Sequence, residues 1–487
     1  MLDNLKLSEL LLELRKNYTN QPVFLFSENG KRAVPVMYPD FLSDLYKNVK
    51  KAEKMNFKRI AIAGYNTYDW IITALSLLLA GKSLILMNPD LDSPDFLHLL
   101  EYTDTECVML PDDLAQELTF LENRFMILPC FEGVALNGTS HEGTAGQISF
   151  PEHKSEFLCF TSGTSQSSKA VVINTETLVR HVRLVTEEAV LPLHKNVKCF
   201  MPLPLYHIYA LTFLFHTMAA GTTLCLSASA RHFAQDAVLF NPGVTLLVPS
   251  MVEAIIKYSD QIPSLKYIIT GGGACRSEVA ELARAKGMVY FNGYGSSESI
   301  AMTFLSVPDG DEQWMKPLSC IQCGVSDEGE LWIKTPYHFD EYYKKPEDTS
   351  RTLKGDVIWT GDAAEQNEQG YIHLLGRLRD TIAMENGEKV HAEDMDHTLS
   401  SLEHAADAAV VYSPEYGISA VIVPDSPGKE TELRSQIDDY NKTISPQLRI
   451  RHLWCRGEKL PRTSTGKLKR YQLANEFRNW FLSEEEK

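Results

Sequence analysis

The chain has 487 residues, 44% hydrophobic and 23% charged, which is typical of a globular protein with at least two domains. Its net charge of -17 argues against nucleic-acid binding and against adhesion to an anionic membrane, because both surfaces attract clustered Lys and Arg. The apolar runs are shorter than the roughly 20 residues of a spanning helix, so no membrane span is expected. Nine scattered cysteines are typical of a reducing compartment, and we expect a cytoplasmic protein.

In chain order, residues 1–18 are predicted as an amphipathic helix, unlike a signal peptide, and residues 68–80 as a buried helix. Short apolar segments alternate with helical ones through this part of the chain. The predicted strands cover residues 59–63, 83–87, 106–110, 157–160, 245–249, 267–270 and 288–291. This alternation indicates βαβ units in parallel sheets with helices on their faces.

After residue 330 the predicted strands become shorter and are separated by turns. They cover residues 331–334, 357–360 and 371–374, a pattern that fits a small β-barrel or antiparallel sheet. Beyond residue 376 the chain is more charged and has a predicted helix at 392–401 and strands at 408–412 and 418–423. We therefore predict an α/β fold: a large N-terminal domain (1–375) of parallel βαβ sheets plus a small β-barrel, then a small mobile α+β domain (376–487).

The first segment with chemical potential is 160–171 (FTSGTSQSSKAV), which follows a predicted strand. Its hydroxyls and backbone N–H groups suit phosphate oxygens, and Lys169 supplies positive charge. It does not match the GxxxxGK[ST] loop of P-loop NTPases. The alternative is a solvated turn rich in Ser and Thr.

A second segment, 292–298 (NGYGSSE), follows the predicted strand that ends at Phe291. Ligands bind at the carboxyl ends of strands in open parallel sheets, and an aromatic ring, two glycines, hydroxyls and a carboxylate suit a nucleotide with a metal ion. The alternative is a strand-to-helix turn with an N-capping serine and a glutamate in the first helical turn.

Two further segments lie towards the C-terminus. Segment 359–362 (WTGD) places Asp362 just after a predicted strand, where a carboxylate can accept both hydroxyls of a ribose, although Gly-Asp is also an ordinary turn. Segment 460–470 (LPRTSTGKLKR) is a basic loop in an acidic protein, and its alternative is a solvated surface loop.

Together, in this order and spacing, the four segments resemble the motifs of the AMP-forming adenylating superfamily, which includes acyl-CoA synthetases, peptide-synthetase adenylation domains and firefly luciferase. The resemblance runs from about residue 59 to residue 470. It implies ATP- and Mg²⁺-dependent conversion of a carboxylic acid to an acyl-adenylate with release of pyrophosphate, then transfer to the thiol of CoA.

The resemblance also implies roles for individual residues. Tyr294 stacks on adenine opposite Gly273 and Ala274, whereas Asp362 and Arg377 hold the ribose hydroxyls. The full predicted nucleotide-binding set is Thr161, Ser162, Gly163, Thr164, Lys169, Gly273, Ala274, Tyr294, Gly295, Asp362 and Arg377.

The implied catalytic residues are Ser297 at the α-phosphate, Glu298 as the Mg²⁺ ligand, and Lys467, which reaches between the carboxylate and the α-phosphate. Attack of a carboxylate on a phosphate brings two anions to ~4 Å, and this repulsion requires cations that are fixed in place beforehand. The resemblance places the pivot between the two domains at Arg379, within the motif GRLRD of residues 376–380.

The identity of the acid is suggested by segment 202–211 (PLPLYHIYAL), which resembles the acyl-pocket motif of fatty acyl-CoA synthetases. No aspartate stands between Met201 and Gly221 to hold a substrate ammonium, so His207 and an apolar lining favour a fatty or other apolar acid. The alternative for His207 is simple packing beside Tyr206 and Tyr209.

Two other functions stay open. One is an acyl-carrier-protein ligase, in which the acceptor thiol belongs to a phosphopantetheine arm. The other is a nucleotide-binding regulator without catalysis, favoured by the altered phosphate loop, in which Ser165–Ser168 replace the usual Thr-Gly-x-Pro before the lysine.

Overall fold

The structure is a computed structural model that describes residues 6–18, 20–28, 30–121, 124–133, 148–161, 168–188, 190–227, 232–273, 277–308, 310–383, 389–462 and 468–485. The chain divides into two compact units. We call Met1–Gln322 with Lys334–Ile358 the large unit, and Cys323–Ile333 with Trp359–Lys487 the small unit. The predicted domain boundary at residues 375 and 376 stays a prediction. None of the helices in the described ranges combines the length and hydropathy that crossing a membrane requires.

The strands are β1 (Pro22–Glu28), β2 (Arg32–Met37), β3 (Arg59–Ala63), β4 (Ser83–Met87), β5 (Cys107–Leu110), β6 (Met126–Pro129), β7 (Glu156–Phe160), β8 (Ala170–Asn174), β9 (Lys198–Met201), β10 (Thr223–Leu226), β11 (Val244–Leu247), β12 (Tyr267–Thr270), β13 (Val289–Ser296), β14 (Ala301–Ser306), β15 (Trp314–Pro317), β16 (Gln322–Val325), β17 (Glu330–Lys334), β18 (Glu341–Tyr342), β19 (Leu353–Lys354), β20 (Val357–Gln366), β21 (Ile372–Arg377), β22 (Thr381–Ala383), β23 (Lys389–His391), β24 (Ala405–Ser413), β25 (Gly417–Pro424) and β26 (His452–Cys455). The helices are α1 (Leu7–Glu13), α2 (Tyr38–Glu53), α3 (Tyr68–Leu79), α4 (Ser93–Tyr102), α5 (Asp112–Glu117), α6 (Thr175–Glu187), α7 (Ile208–Ala220), α8 (Phe233–Phe240), α9 (Pro249–Lys257), α10 (Ser277–Ala285), α11 (Pro346–Thr352), α12 (Ala392–Ser400), α13 (Glu430–Thr443) and α14 (Arg470–Glu485).

One sheet of the large unit has the strand order β18-β8-β7-β4-β3-β5-β6. Strands β3 to β7 pair in parallel, whereas β8 and β18 are antiparallel to their neighbours. The central strands β3 and β4 are almost entirely buried, because helices cover both faces of a parallel sheet and favour continuous apolar runs such as Ser83–Met87.

A second sheet of the large unit has the order β15-β14-β13-β12-β11-β9-β10-β1-β2. Its strands from β13 to β1 are parallel, and both edges are antiparallel. Helix α2, which follows β2 of the second sheet, packs against α3, which connects β3 and β4 of the first sheet. Helices α6, after β8, and α7, before β10, pack together in the same way. The parallel pairing of β12 with β13 ends at Thr270 and Asn292, so the second predicted motif begins where these two strands separate.

The strands that carry the second and third motifs end later than predicted. Strand β13 was predicted to end at Phe291, but it continues to Ser296, because after Asn292 it leaves β12 and pairs antiparallel with β14. No helix follows the motif, so the strand-to-helix alternative is wrong. Likewise, Asp362 does not follow a strand but lies inside β20, since pairing with β21 carries this strand on to Gln366.

The small unit contains the strand order β16-β17-β20-β21, the pair β22-β23, and a three-stranded sheet β24-β25-β26. Helices α12 and α14 pack against β24. One face of the three-stranded sheet buries an apolar cluster that includes Leu399, Val410 and Leu433, and a second cluster is built around Phe477. The small unit therefore has its own core, as an independently folding domain requires.

Candidate active site

The base of the predicted phosphate loop is closed by backbone and hydroxyl hydrogen bonds between β7 and β8. The Thr161 N–H donates to the Lys169 carbonyl over 3.0 Å, and the Lys169 N–H donates to Thr161 Oγ1, also over 3.0 Å. Ser168 Oγ donates to the Thr161 carbonyl over 3.3 Å. Ser162, Gly163 and Thr164 lie outside the described residues, so their predicted phosphate contacts stay predictions.

The Lys169 side chain is held on two sides within the large unit. Its Nζ lies 3.6 Å from Asp348 Oδ1 at the start of α11, and 4.4 Å from the centre of the Tyr342 ring. A cation over an aromatic face is attracted by the quadrupole of the ring. The position of the Lys169 ammonium is thus fixed by Tyr342 and Asp348, for which the sequence predicted no role.

The predicted adenine-binding residues meet where β12 and β13 lie side by side. A Cβ on Gly271 would come within 3.1 Å of the Gly293 carbonyl oxygen, so the backbone of the glycine segment after β12 is packed against β13. Tyr294 lies in β13, with its ring 5.8 Å from Phe304 of β14, and a β-bulge separates it from Gly295. Gly273 follows β12 and is exposed, whereas Ala274 lies outside the described residues.

Ser297 and Glu298 occupy the tight turn between β13 and β14. The Ile300 N–H donates to the Ser297 carbonyl over 3.3 Å, and Ile300 has a φ of 55°, a left-handed conformation that β-branched residues rarely adopt. The Ile300 side chain is fully buried, which offsets this strain. Burial raises the pKa of the Cys159 thiol to about 12, against the opposing effect of its hydrogen bond with Ser297. The turn that carries Ser297 is thus held by the buried Ile300 side chain and by a contact with the buried Cys159 thiol.

The Glu298 carboxylate is fixed by Tyr342, whose Oη donates to Glu298 Oε1 over 2.6 Å. The backbone carbonyl of Glu298 accepts a second hydrogen bond, from the Phe339 N–H over 2.8 Å. Within the described ranges no group of three or more His, Cys, Asp or Glu side chains is arranged to hold a metal ion. A single carboxylate nevertheless suits Mg²⁺, which commonly takes one or two protein carboxylates and completes its shell with substrate phosphates and water.

The predicted acyl-pocket segment leads into α7. His207 precedes the helix, and its ring lies 4.6 Å from that of Tyr206, so the packing alternative describes one of its contacts. Tyr209 is half-buried, but its hydroxyl is buried and has no hydrogen-bond partner among the described residues. A Cβ on Gly271 would lie 3.2 Å from this hydroxyl, so Tyr209 lies directly against the glycine segment. A buried, unpaired hydroxyl here is the kind of group that a ligand satisfies.

In the small unit, Asp362 and Arg377 face each other across β20 and β21. Arg377 Nη1 lies 3.1 Å from Asp362 Oδ1, and the Asp362 N–H donates to Thr360 Oγ1 over 3.1 Å. Gly361 has a φ of 68°, a conformation that favours glycine, and its N–H donates to Glu330 Oε1. The strand pairing thus brings the two predicted ribose-binding residues together.

Lys467 lies outside the described residues, but both ends of its loop are fixed in the small unit. Arg462 and Leu468 form an isolated antiparallel bridge, and Arg462 Nη2 donates to Asp407 Oδ1 over 2.7 Å. Arg470, at the start of α14, pairs with Asp396 and donates to the Val410 carbonyl over 2.6 Å. The segment is therefore not a freely solvated loop at its C-terminal end.

Arg379, the predicted pivot, has a side chain that is 84% exposed and lies 3.9 Å from Asp380. The carboxylate of Asp380 also lies 3.7 Å from Arg470 Nε. Although burial opposes the charged form, the carboxylates of Asp396 and Asp380 raise the pKa of Arg470. The predicted hinge segment and the end of the Lys467 loop are thus linked through one guanidinium.

Sequence reasoning missed Tyr342 and Asp348 in the large unit, and Asp396 in the small unit. Tyr342 carried a weak signal, since an aromatic residue with a polar tip is often buried with that tip hydrogen-bonded. No sequence signal marks Asp348 or Asp396, because their partners lie far away along the chain.

Comparison with known proteins adds three kinds of match. The family model described as AMP-binding enzyme matches residues 50–343. The 2-succinylbenzoate–CoA ligase of Oceanobacillus iheyensis is 24% identical over 455 residues, covering 87% of this chain and 91% of that protein. The long-chain-fatty-acid–CoA ligase of Thermus thermophilus is 23% identical over 478 residues, covering 87% and 86%. The O-succinylbenzoate coenzyme A synthetase of Bacillus subtilis, solved with ATP and magnesium, shares the fold with a TM-score of 0.79, 18% identity, and coverage of 95% and 98%.

Proposed function

Because this chain belongs to the AMP-binding enzyme family, we propose that it joins a carboxylic acid with an apolar chain or ring to the thiol of CoA through an acyl-adenylate. The membership predicted from the motifs, in the AMP-forming adenylating superfamily, is confirmed by the family match and by the relatives. The same findings confirm the predicted enzyme class, an AMP-forming acid–thiol ligase. The acid, the acceptor thiol and the roles of single residues are the proposal.

One observation carries the proposed chemistry. Lys169 Nζ and the Glu298 carboxylate both contact Tyr342, the lysine on the ring face and the carboxylate on the hydroxyl. A cation for phosphate oxygens and a carboxylate for Mg²⁺ are therefore fixed around one buried side chain. This preorganisation suits a triphosphate bound as its magnesium complex.

The first step forms a bond between a substrate carboxylate oxygen and the α-phosphorus of ATP, while the bond from that phosphorus to the bridging oxygen breaks and pyrophosphate leaves. Lys169 and the loop base would bind the phosphates, and Glu298 would hold Mg²⁺, which would supply charge neutralisation when bound. Lys467 contributes the cation that offsets the repulsion between the two reacting anions. In the second step the CoA thiol loses its proton, its sulfur bonds to the acyl carbon, and AMP leaves with the electron pair.

The apolar acid is supported by α7 and the residue before it. His207 stands at the start of the helix, and the half-buried Tyr209 and the fully buried Phe213 pack edge to face, with ring centres 5.4 Å apart. These rings offer apolar surface and one hydroxyl, and they include no carboxylate that would bind an ammonium group. The relatives' named acids, a fatty acid and 2-succinylbenzoate, differ in shape but both carry an apolar portion.

The decisive experiment is ATP–pyrophosphate exchange and AMP release with a panel of fatty, aromatic and amino acids. We expect exchange that depends on a fatty or aromatic acid, and AMP release that rises when CoA is added. AMP release that rises only with a holo acyl carrier protein would favour the carrier-protein ligase. No exchange with any acid, together with intact ATP binding, would favour the regulator without catalysis.

A single substitution tests the proposed role of the C-terminal lysine. Lys467→Ala is expected to lower acid-dependent pyrophosphate exchange by at least about a hundredfold, because it removes a charge fixed for the transition state. The exposed Lys442→Ala is the matched control and should leave exchange unchanged, since Lys442 pairs only with Asp439 among the described residues. Unchanged exchange in Lys467→Ala would rule out this assignment.

A further inference from the structure

Tyr342 is held rigidly before any ligand binds. It lies in β18, directly opposite Val171 of β8, and its side chain is only 3% exposed. Its N–H donates to Thr349 Oγ1 over 2.9 Å, and its ring packs on Phe339 at 4.8 Å. Backbone pairing, a side-chain acceptor and ring packing therefore fix the position of its hydroxyl.

The hydroxyl of Tyr342 acts as a donor towards Glu298. A carboxylate only accepts hydrogen bonds, so the phenol is the donor in this contact. The donated hydrogen bond of 2.6 Å occupies Glu298 Oε1. Among the described residues, Glu298 Oε2 accepts no hydrogen bond, so the fixed carboxylate presents one oxygen to a ligand.

The ring of Tyr342 is also the surface on which Lys169 rests, at 4.4 Å. The same ammonium lies 3.6 Å from Asp348, which itself contacts Arg351 at 3.6 Å. Because Lys169 and Asp348 are each about 30% exposed, water screens this ion pair, and the ring contact fixes the lysine without neutralising it.

We propose that Tyr342 is a positioning residue for the magnesium–ATP complex: its hydroxyl holds Glu298 Oε1, which leaves Oε2 as the oxygen with which Glu298 would bind Mg²⁺. This inference rests on the proposed function, because it takes Glu298 as the Mg²⁺ ligand. In this role Tyr342 acts through the Glu298 carboxylate. The effect of the Tyr342 hydroxyl is therefore expected only in the part of ATP affinity that depends on Mg²⁺, since the ring remains beneath Lys169 in phenylalanine.

The test measures ATP affinity by calorimetry, with Mg²⁺ and with excess EDTA, for the wild type and Tyr342→Phe. A hydrogen bond to a charged group contributes enough that its loss should reduce the Mg²⁺-dependent gain in affinity about tenfold. In EDTA the ATP affinity of Tyr342→Phe should stay within about twofold of the wild-type value, because phenylalanine keeps the ring beneath Lys169. Tyr343→Phe is the matched control, since Tyr343 loses an equivalent 2.6 Å bond, but to Asp104.

Glu298→Gln separates failure of this inference from failure of the proposed function. If Glu298 holds the metal, Glu298→Gln loses the Mg²⁺-dependent gain, and adding Tyr342→Phe to it causes no further loss. The positioning role would be overturned if Mg²⁺ increased the ATP affinity of Tyr342→Phe as much as that of the wild type. It would also be overturned if the double variant bound magnesium–ATP more weakly than Glu298→Gln alone. A full Mg²⁺-dependent gain in Glu298→Gln would instead refute the metal site on which the proposal rests. Melting temperatures, measured alongside, verify that each variant is folded.

Discussion

Replacing Asp362 by asparagine should weaken ATP binding through the ribose. Asp362 is buried inside β20, and its Oδ1 lies 3.1 Å from the Arg377 guanidinium. The substitution keeps the shape of the side chain but removes its charge. Because the Arg377 side chain is 39% exposed, water can solvate the guanidinium after its partner is lost, and the melting temperature should change little.

The expected magnitude follows from the hydrogen bonds that a ribose would donate. Bonds to a charged acceptor contribute about 1.5–3 kcal/mol each, and neutral bonds about 0.5–1.5 kcal/mol. Two ribose hydroxyls that lose the charged acceptor should therefore forfeit about 2 kcal/mol together, which corresponds to roughly a 30-fold weaker affinity.

The assay compares ATP with 2′,3′-dideoxy-ATP, which lacks both hydroxyls, for the wild type and Asp362→Asn. Affinity for ATP should fall about 30-fold in the variant, whereas affinity for the dideoxy compound should change little. Asp356→Asn is the control, because Asp356 is half-exposed and pairs with Lys334 at 3.6 Å. If Asp362→Asn weakened both nucleotides equally, the effect would be structural and the ribose role of Asp362 would be refuted.

Two further predictions concern stability. His216 has both ring nitrogens buried without a hydrogen-bond partner among the described residues, and burial lowers its pKa well below 6.5. Since only the unfolded state then binds its proton, the free energy of unfolding should fall as the pH drops below about 6.5, and His216→Phe should flatten this fall in urea titrations. Arg470→Met leaves Asp396 without its ion-pair partner and should destabilise the small unit by about 3 kcal/mol, seen as faster amide exchange in β24 and β25. The exposed Arg478→Met should change that exchange little, and equal effects of both arginine variants would contradict the anchoring role of Arg470.

Sequence patterns predicted three of the central strands with the bounds that the structure has, because a run of apolar side chains is itself the signal of a buried strand. The bounds of β3, β4 and β12 match the predicted ones, since each is a short apolar run buried on both faces. The α/β fold class is confirmed as well. The strand ends of β13 and β20 were wrong, because they depend on antiparallel partners from later in the chain, and local composition does not identify those partners.

The candidate site divides in the same way. Motifs predicted roles for Glu298 and Lys169 from the residue type and its immediate neighbours, and these roles stay predictions. They did not identify Tyr342 or Asp348, which reach Lys169 only because β18 pairs with β8 after more than 150 intervening residues. Arg470 was placed in a basic loop with a solvated alternative, yet its side chain is only 15% exposed, because Asp396 neutralises it inside the fold.

The arrangement around Tyr342 also explains how opposite charges can stand ready for a nucleotide without cancelling each other. Among the described residues Glu298 has no ion pair within 4.0 Å, and Lys169 pairs with Asp348, whose side chain is 30% exposed, rather than with Glu298. Releasing Lys169 from this pair and from the ring costs about 1–2 kcal/mol in total. A charge-assisted hydrogen bond to phosphate returns about 1.5–3 kcal/mol, and Mg²⁺ bound at Glu298 would add to it. If Lys169 and Glu298 formed an ion pair with each other, that pair would have to break before the lysine could bind phosphate and the carboxylate could bind Mg²⁺. Because each of them contacts Tyr342 instead, both charges stay available for the nucleotide.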